Sequence, residues 1–129
     1  MDLPCREILL VDDEPDLIRG LSRILESRGW HVRHALSGSE AVKLAIQHMP
    51  EVILMDIMMP GMNGIETCRE IRQSSPEVPV IFMTGFSVLE PSAREIGATA
   101  VLSKPMDFVK LFATLDSLQY IEGGPLRAI

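Results

Sequence analysis

The stretch EVILMDIMMPGMNG, residues 51–64, decides the fold of this chain. It opens with an apolar run from Val52 to Met55, which ends in Asp56 and leads into a loop containing proline and glycine. The run does not alternate with polar residues, which is typical of a strand buried on both faces of a parallel sheet. Ligands of open α/β sheets bind outside the carboxyl ends of the strands, so Asp56 stands where chemistry is expected.

The rest of the chain repeats this arrangement of strand and helix. Three further apolar runs cover residues 8–11, 80–83 and 100–102, and a more polar run over residues 31–35 predicts an edge strand. Helical patterns follow the five runs, beginning after Pro15, at Ser37, at Asn63, near Ser87 and near Asp107. The fourth helix is the weakest prediction, because Pro91 must sit in its first turn or break it.

Strict alternation of five strands and five helices predicts an α/β fold. We expect a single doubly wound (βα)5 domain, with a five-stranded parallel sheet and helices on both faces. The domain is predicted to cover residues 1–119. Residues 120–129 contain a Gly-Gly-Pro sequence and are predicted to form a flexible tail.

Composition narrows the class of protein further. The 129 residues fit one domain, and 47% of them are hydrophobic, enough for a core without disulfides. The formal net charge of −6 argues against nucleic-acid binding by this domain. Cys5 and Cys68 are far apart and form no metal or redox motif. With no apolar segment of membrane-spanning length, we expect a soluble, cytoplasmic chain without membrane contact.

Polar side chains follow four of the five predicted strands. Asp12 and Asp13 follow the first, Asp56 the third, Thr84 the fourth, and Lys104 comes just after the fifth. Three carboxylates at one edge of a sheet would repel one another unless a cation joins them. Carboxylate and carbonyl oxygens suit Mg²⁺, or Mn²⁺ in its place, better than a site that needs histidines.

These residue types also suggest a reaction. A carboxylate beside a divalent cation can attack phosphorus and form an aspartyl phosphate. Lys104 can neutralise charge on the transferred oxygens, and the Thr84 hydroxyl can donate a hydrogen bond to them. The set has no obvious general base to activate water, so a phosphorylated state could persist.

Four stretches resemble the response-regulator receiver family of two-component systems: LVDDE at residues 10–14, MDIMMPGMNG at 55–64, MTG at 83–85 and SKP at 103–105. The resemblance spans roughly Glu7 to Leu118. It implies a phosphoacceptor in a phosphorelay, served by a histidine kinase or a phosphotransfer protein. It also implies the strand order 2-1-3-4-5, with the acidic residues at the switch point between the first and third strands.

Carried over position by position, the resemblance assigns a role to each residue. Asp56 is the phosphorylation site, and Lys104 and Thr84 are the catalytic residues. The metal ligands are Asp12, Asp13, Asp56 and the backbone carbonyl of Met58. The bond between Lys104 and Pro105 is expected to be cis. A homodimer through the fourth helix, fifth strand and fifth helix is a further expectation of the family.

The chain departs from the family pattern at two places that concern switching. Val101 occupies the switch position, where an aromatic residue is common. The interval from Thr84 to Lys104 is shorter than usual, which predicts a short fourth helix. Gly61 and Gly64 are interpreted as backbone turn residues.

Two other functions stay open at this level. A degenerate receiver would use the same fold only for docking, and Val101 keeps that alternative in place. A Mg²⁺-dependent phosphatase working through an aspartyl phosphate is the other, although Met58 stands where such enzymes have a second acid. In the leading interpretation, the chain is a signalling domain and not an enzyme. It catalyses the transfer of a phosphoryl group to itself and loses that group slowly.

Overall fold

The computed structural model describes residues 6–120 and 126–128. Five strands form the main sheet: Arg6–Val11 (β1), Trp30–Ala35 (β2), Val52–Asp56 (β3), Val80–Thr84 (β4) and Ala100–Ser103 (β5). Five helices alternate with them: Pro15–Ser27 (α1), Gly38–Gln47 (α2), Gly64–Ser74 (α3), Glu90–Glu95 (α4) and Phe108–Asp116 (α5). Each predicted strand and helix is therefore present.

The sheet is parallel throughout, with the order β2-β1-β3-β4-β5. This order confirms the predicted doubly wound fold, in which the chain reverses its direction of growth between β1 and β3. The register places Val11 beside Met55 and Asp56 beside Met83. The carboxyl ends of the three central strands therefore lie side by side and form one edge.

The lack of polar alternation in the strands follows from two separate apolar cores. Successive side chains of a strand point to opposite faces of the sheet, so each face needs its own apolar set. Ile8, Leu10 and Leu54 pack on the face that α1 and α5 cover. Leu9 and Ile53 pack on the other face, which α2, α3 and the buried Ala93 of α4 cover.

Local hydrogen bonds fix the predicted helix starts. Ser37 caps α2 by accepting the backbone N–H of Glu40 at 3.2 Å. Asn63 accepts the N–H of Glu66 at 2.9 Å, and the Glu66 carboxylate accepts the N–H of Asn63 at 3.1 Å, a complete capping box. Since such caps satisfy backbone groups that the helix itself leaves free, they set where α2 and α3 begin.

The fourth helix is short, as the sequence predicts. A single 3₁₀ turn, Ser87–Leu89, precedes α4, and Pro91 lies in the first turn of the helix. Neither the turn nor α4 has a side-chain cap at its start. The chain between β4 and β5 is therefore a compact connection with little helix.

The edges of the sheet and the end of the chain add two details. Ala100 and Val101 are only half-buried, because β5 is an edge strand and not a fully covered one. Leu118–Tyr120 (β6) and Leu126–Ala128 (β7) form a small antiparallel pair.

Residues 1–5, 121–125 and 129 lie outside the described residues, and Cys5 is among them. The flexibility of the 120–129 tail stays a prediction. Cys68 is a buried free thiol.

Candidate functional site

The carboxyl edge of the sheet gathers the polar residues that the sequence singled out. Asp12 follows β1 directly, Asp56 is the last residue of β3, and Thr84 is the last residue of β4. Lys104 follows β5, and its bond to Pro105 is cis, as expected. Because the strands are parallel and in register, residues far apart in the chain meet at this edge.

An acidic cluster lies at the centre of the site. Asp12, Asp13 and Asp56 each place a carboxylate oxygen within 4.8 Å of the others. Asp12 is fully buried and Asp56 is 4% exposed, while Asp13 is more open to solvent. The N–H of Glu14 donates to Asp12 Oδ1 at 3.0 Å, and that of Met58 donates to Asp56 Oδ1 at 3.2 Å. The two buried carboxylates are thus held by the backbone of the loops that follow them.

Lys104 joins the two buried carboxylates. Its Nζ lies 2.8 Å from Asp12 Oδ2 and 3.2 Å from Asp56 Oδ2, with Glu14 Oε1 at 3.9 Å. The lysine side chain is 19% exposed, so solvent screens these charges weakly. One ammonium group among three clustered carboxylates leaves an excess of negative charge that a further cation can neutralise.

Burial and charge shift the protonation of this pair. Burial raises the pKa of Asp56, and although the Lys104 cation lowers it, the nearby Asp12 charge adds to the rise and the pKa stays above its ordinary value. Burial lowers the pKa of Lys104, but its hydrogen bond to Asp12 and the charge of Asp56 outweigh this and raise it. A carboxyl group whose pKa is shifted by burial and by charged neighbours in a cleft is typical of functional sites.

The donor set fits a hard divalent cation. Ligand oxygens of one octahedral Mg²⁺ lie about 3–4 Å from each other, so carboxylate oxygens within 4.8 Å need only small adjustments to share an ion. All three donors are oxygens, and His31 and His34 lie on β2, outside this cluster. The acidic cluster could therefore hold Mg²⁺ or Mn²⁺.

Thr84 and Phe86 form a local hydrogen-bonded turn beside the cluster. The Thr84 hydroxyl accepts the N–H of Phe86 at 2.9 Å and lies 3.3 Å from the Phe86 carbonyl, to which it can donate. The side chains of Met58 and Phe86, which follow Asp56 and Thr84 by two residues, are 50% and 56% exposed. Val101 lies on β5 opposite Phe82 and is half-buried. The assigned roles stay predictions, for Asp56, Lys104 and the metal ligands as well as for Thr84, Met58 and Val101.

The two loop glycines differ, and one interpretation was wrong. Gly61 has a φ of +73°, which agrees with its predicted role in a backbone turn. Gly64 is instead required for close packing, since a Cβ there would lie 2.3 Å from the Asp56 carbonyl oxygen. Its N–H also donates to the Ile57 carbonyl at 2.8 Å. The absence of a side chain at Gly64 therefore positions the backbone that carries Asp56.

Sequence reasoning missed two charged contacts. Glu14 approaches Lys104, and its place directly after Asp12-Asp13 could have suggested this. Arg72 donates to the carbonyls of Pro76, Val78 and Gly97, a contact that nothing in the sequence pattern indicates. Both depend on how separate elements pack against each other.

The strand order, together with the acidic cluster and lysine at the carboxyl edge, defines a CheY-like receiver fold. The chain belongs to the response regulator receiver domain family, whose family model matches residues 8–116. Receiver domains are signalling domains of two-component systems. In the part of the chain that the structure describes, none of the helices has the length and apolar character needed to span a bilayer.

Similar proteins agree with this assignment. The chain is 37% identical over 112 residues to the transcriptional regulatory protein ZraR of Escherichia coli K12, covering 85% of this chain and 25% of that protein. It is 36% identical over 115 residues to the response regulator PleD of Caulobacter vibrioides, covering 86% of this chain and 25% of PleD. The chain therefore spans about a quarter of the length of these curated relatives.

Solved structures resemble the fold over most of its length. The chemotaxis protein CheY4 of Vibrio cholerae has a TM-score of 0.82 and 29% identity, covering 88% of this chain and 98% of that one. A LuxR-family response regulator from Aurantimonas has a TM-score of 0.81 and 32% identity, covering 88% and 84%. The matched region makes up almost the whole of the CheY4 chain.

Proposed function

We propose that this receiver is a phosphoacceptor whose Asp56 takes a phosphoryl group from a histidine kinase or a phosphotransfer protein. The observation that carries the proposal is the position of Lys104 Nζ, which lies between Asp12 and Asp56 at 2.8 and 3.2 Å. A partly buried cation fixed beside the Asp56 carboxylate can neutralise an incoming phosphoryl group as the new bond forms.

The reaction needs little beyond correct positioning. A carboxylate oxygen of Asp56 attacks phosphorus, a new O–P bond forms, and the bond between phosphorus and the donor breaks with its electron pair leaving on the donor. Lys104 can follow the phosphoryl oxygens because it reaches the site on a flexible stem. The Thr84 hydroxyl, now bonded to the backbone of Phe86, can turn to donate to one of those oxygens.

A divalent cation completes the charge balance in this proposal. Asp12, Asp13, Asp56 and the backbone carbonyl of Met58 would hold Mg²⁺, or Mn²⁺, which would supply charge neutralisation for the attacking carboxylate and the transferred oxygens. Asp12 and Asp56 are already oriented for this by the N–H groups of Glu14 and Met58.

The output of the reaction is a change of protein surface. Phosphorylation would shift an equilibrium between two states and alter the face formed by α4, β5 and α5, through which two copies could also pair. We propose that this reaction takes place in the cytoplasm. It is a signalling step, and the domain does not turn over a separate substrate. The activity of any longer protein that contains this receiver would follow from the same switch.

Intact mass tests the proposal directly. The full chain is incubated with acetyl phosphate and Mg²⁺ and then weighed, with a matched sample in excess EDTA. We expect the mass of one phosphoryl group to be added with the metal and none without it. A chain that gains no mass under any metal condition would act only as a docking domain.

Magnesium should also stabilise the chain through the acidic cluster. At a concentration about ten times its Kd, a ligand that binds only the folded state adds about 1.4 kcal/mol to the free energy of unfolding. We expect MgCl₂ to raise the Tm of the wild type and to have little effect on Asp13→Asn. Glu14→Gln is the matched control, since its carboxylate lies next to the cluster but outside it. An equal shift in Asp13→Asn would show that the metal binds elsewhere.

Phosphate on Asp56 should be long-lived because apolar side chains border the site. Met58 lies two residues from Asp56 and its side chain is exposed, so this side chain can hinder an attacking water. We expect Met58→Asn to speed dephosphorylation by roughly threefold, about 0.7 kcal/mol of barrier. Ile46→Asn is the control, an equally exposed apolar residue near the C-terminal end of α2. A Met58→Asn variant that loses phosphate at the wild-type rate contradicts the idea.

A further inference from the structure

The first residue of α2 lies against α3 and against the loop of residues 57–63, which joins β3 to α3. A Cβ at Gly38 would lie 2.2 Å from Thr67 Oγ1 of α3 and 2.9 Å from the Met62 carbonyl oxygen of the loop. Gly38 is buried, and Thr67 has no exposed surface. The start of α2 can therefore approach the loop this closely only because residue 38 has no side chain.

Thr67 connects this contact to the residue that starts α3. Its hydroxyl donates to the Asn63 carbonyl at 2.7 Å, and its backbone N–H donates to the same oxygen at 2.9 Å. Asn63 ends the loop and forms the capping box of α3. The next residue, Gly64, donates its N–H to the Ile57 carbonyl at 2.8 Å. The end of the loop is therefore tied both to α3 and to the residue that follows β3.

α2 cannot move away from this contact without cost. Ser37 caps its start, and Ala41 and Ala45 are fully buried in the core beneath it. Arg33 of β2 donates to two backbone carbonyl groups at its C-terminal end. A shift of the whole helix would therefore open a gap over the core and break these hydrogen bonds.

The loop of residues 57–63 is the part that can move more easily. Residues 60 and 61 are exposed and residue 62 is half-buried, whereas Ile57 and Met59 are buried and anchor the start of the loop. Between these two anchors lies Met58, whose N–H donates to Asp56 Oδ1 at 3.2 Å and whose carbonyl is a proposed metal ligand. Extra bulk at residue 38 would therefore displace the loop that completes the metal site.

We propose that Gly38 and Thr67 are positioning residues for the metal site, and that the start of α2 supports the loop that presents the Met58 carbonyl to the ion. The inference rests on the proposed function, because it concerns the metal of that site. Neither residue belongs to the acidic cluster, and both act through the backbone of residues 62–63. A change at Gly38 should therefore weaken metal binding and leave the acceptor Asp56 in place.

Metal binding by the full chain, without any phosphoryl donor, is the first test. Mn²⁺ is the probe, since the free ion can be counted by its electron paramagnetic resonance signal. We expect Gly38→Ala to raise the Kd for Mn²⁺ by about tenfold where the variant is fully folded, as is typical when a residue that supports metal ligands is changed. Gly20→Ala is the control, because a Cβ there meets nothing within 4 Å. Unchanged Mn²⁺ affinity in folded Gly38→Ala overturns the proposal.

A second substitution at Thr67 tests the contact itself. Thr67→Ala removes the oxygen that a Cβ at residue 38 would meet, while the Met62 carbonyl oxygen stays at 2.9 Å. In this background Gly38→Ala should therefore raise the Kd by only about threefold. Thr67→Val loses the same hydrogen bond but keeps an atom in that place on a stiff, branched side chain, so the full effect should remain. Equal effects of Gly38→Ala in the two backgrounds contradict the assigned contact.

The rate of phosphorylation separates weaker metal binding from a general loss of activity. In Gly38→Ala, the Mg²⁺ concentration that gives half the maximal rate should rise about tenfold, whereas the rate at saturating Mg²⁺ should stay within about twofold of the wild type. A damaged fold would lower the rate at every Mg²⁺ concentration. An equal loss of rate at low and at saturating Mg²⁺ is therefore evidence against the proposal.

Thr67→Val decides the question if Gly38→Ala does not fold. Without the hydroxyl bond to Asn63, this variant should bind Mn²⁺ about threefold more weakly. Thr114→Val is its matched control, since it loses a hydroxyl bond of the same kind, to the Lys110 carbonyl on α5, and should bind Mn²⁺ like the wild type. A Thr67→Val variant with wild-type affinity overturns the proposal.

The wild type distinguishes this inference from the proposed function. A wild-type chain that binds no Mn²⁺ and gains no phosphoryl group would defeat both. A wild-type chain that does both, beside a folded Gly38→Ala variant with unaltered Mn²⁺ affinity, would defeat the role of α2 alone.

Discussion

Asp56→Asn is expected to abolish phosphorylation, lowering the rate of mass gain from acetyl phosphate by roughly a thousandfold or more. An amide at this position has no charged oxygen to attack phosphorus. Asp12 should not take over, because it is fully buried and bonded to Lys104. The measurement is intact mass over time, with Mg²⁺ present.

Asp116→Asn at the end of α5 is the matched control and should be phosphorylated at the wild-type rate. Peptide mapping of the phosphorylated wild type should place the added group on the segment that contains Asp56. A Asp56→Asn variant that still gains one phosphoryl group would show that another residue is the acceptor.

The stability of Asp56→Asn separates loss of chemistry from loss of fold. Burial raises the pKa of Asp56, so the folded chain holds this proton more tightly than the unfolded chain does. The wild type therefore loses stability as the pH rises from the ordinary carboxyl range through the raised pKa. Asparagine has no such proton, so without metal at neutral pH the variant should be at least as stable as the wild type. Thermal unfolding at several pH values checks this.

Gly64→Ala is expected to be strongly destabilising, although it adds only one methyl group. The new Cβ would lie 2.3 Å from the Asp56 carbonyl oxygen and 2.9 Å from Ile57 Cα, both backbone atoms that cannot rotate away. Overpacking of this kind costs about 1–3 kcal/mol, and a rigid backbone contact favours the upper end. Chemical denaturation measures the change in the free energy of unfolding.

Gly20→Ala is the control for this substitution. Gly20 lies inside α1, and a Cβ there meets nothing within 4 Å. Alanine is the better helix former, so we expect a gain of about 0.5–1 kcal/mol. Opposite signs for the two variants would confirm that Gly64 is needed for space and not for backbone freedom. A neutral Gly64→Ala would instead mean that α3 moves away from β3 without cost.

Gly64→Ala should also weaken the site that it supports. Any relief of the contact moves the backbone of Asp56 or the loop that begins at Ile57, and Met58 N–H donates to the Asp56 carboxylate from this loop. In conditions where the variant is fully folded, we expect slower phosphorylation and a smaller Mg²⁺-induced rise in Tm. Gly20→Ala should leave both unchanged.

The sequence alone determined the fold class and which polar residues gather at one edge of the sheet. Apolar runs without alternation require strands covered on both faces, and strict alternation with helices then requires a parallel sheet. Once the sheet is parallel, Asp12, Asp56 and Lys104 must lie at one edge, since each stands at the end of its strand. Local chemistry set the helix starts in the same way, as the capping box of Asn63 and Glu66 shows.

Tertiary structure alone decided the contacts made across elements. The bridge from Lys104 to two carboxylates, the absence of room at Gly64 and the hydrogen bond from Arg72 to Gly97 join segments that are remote in sequence. The half-burial of β5 likewise follows from its place at the edge of the sheet. The periodicity of apolar residues in the sequence indicates which face of a helix or strand is buried. The distances between elements depend instead on how whole side chains pack, and close packing is a property of the assembled fold.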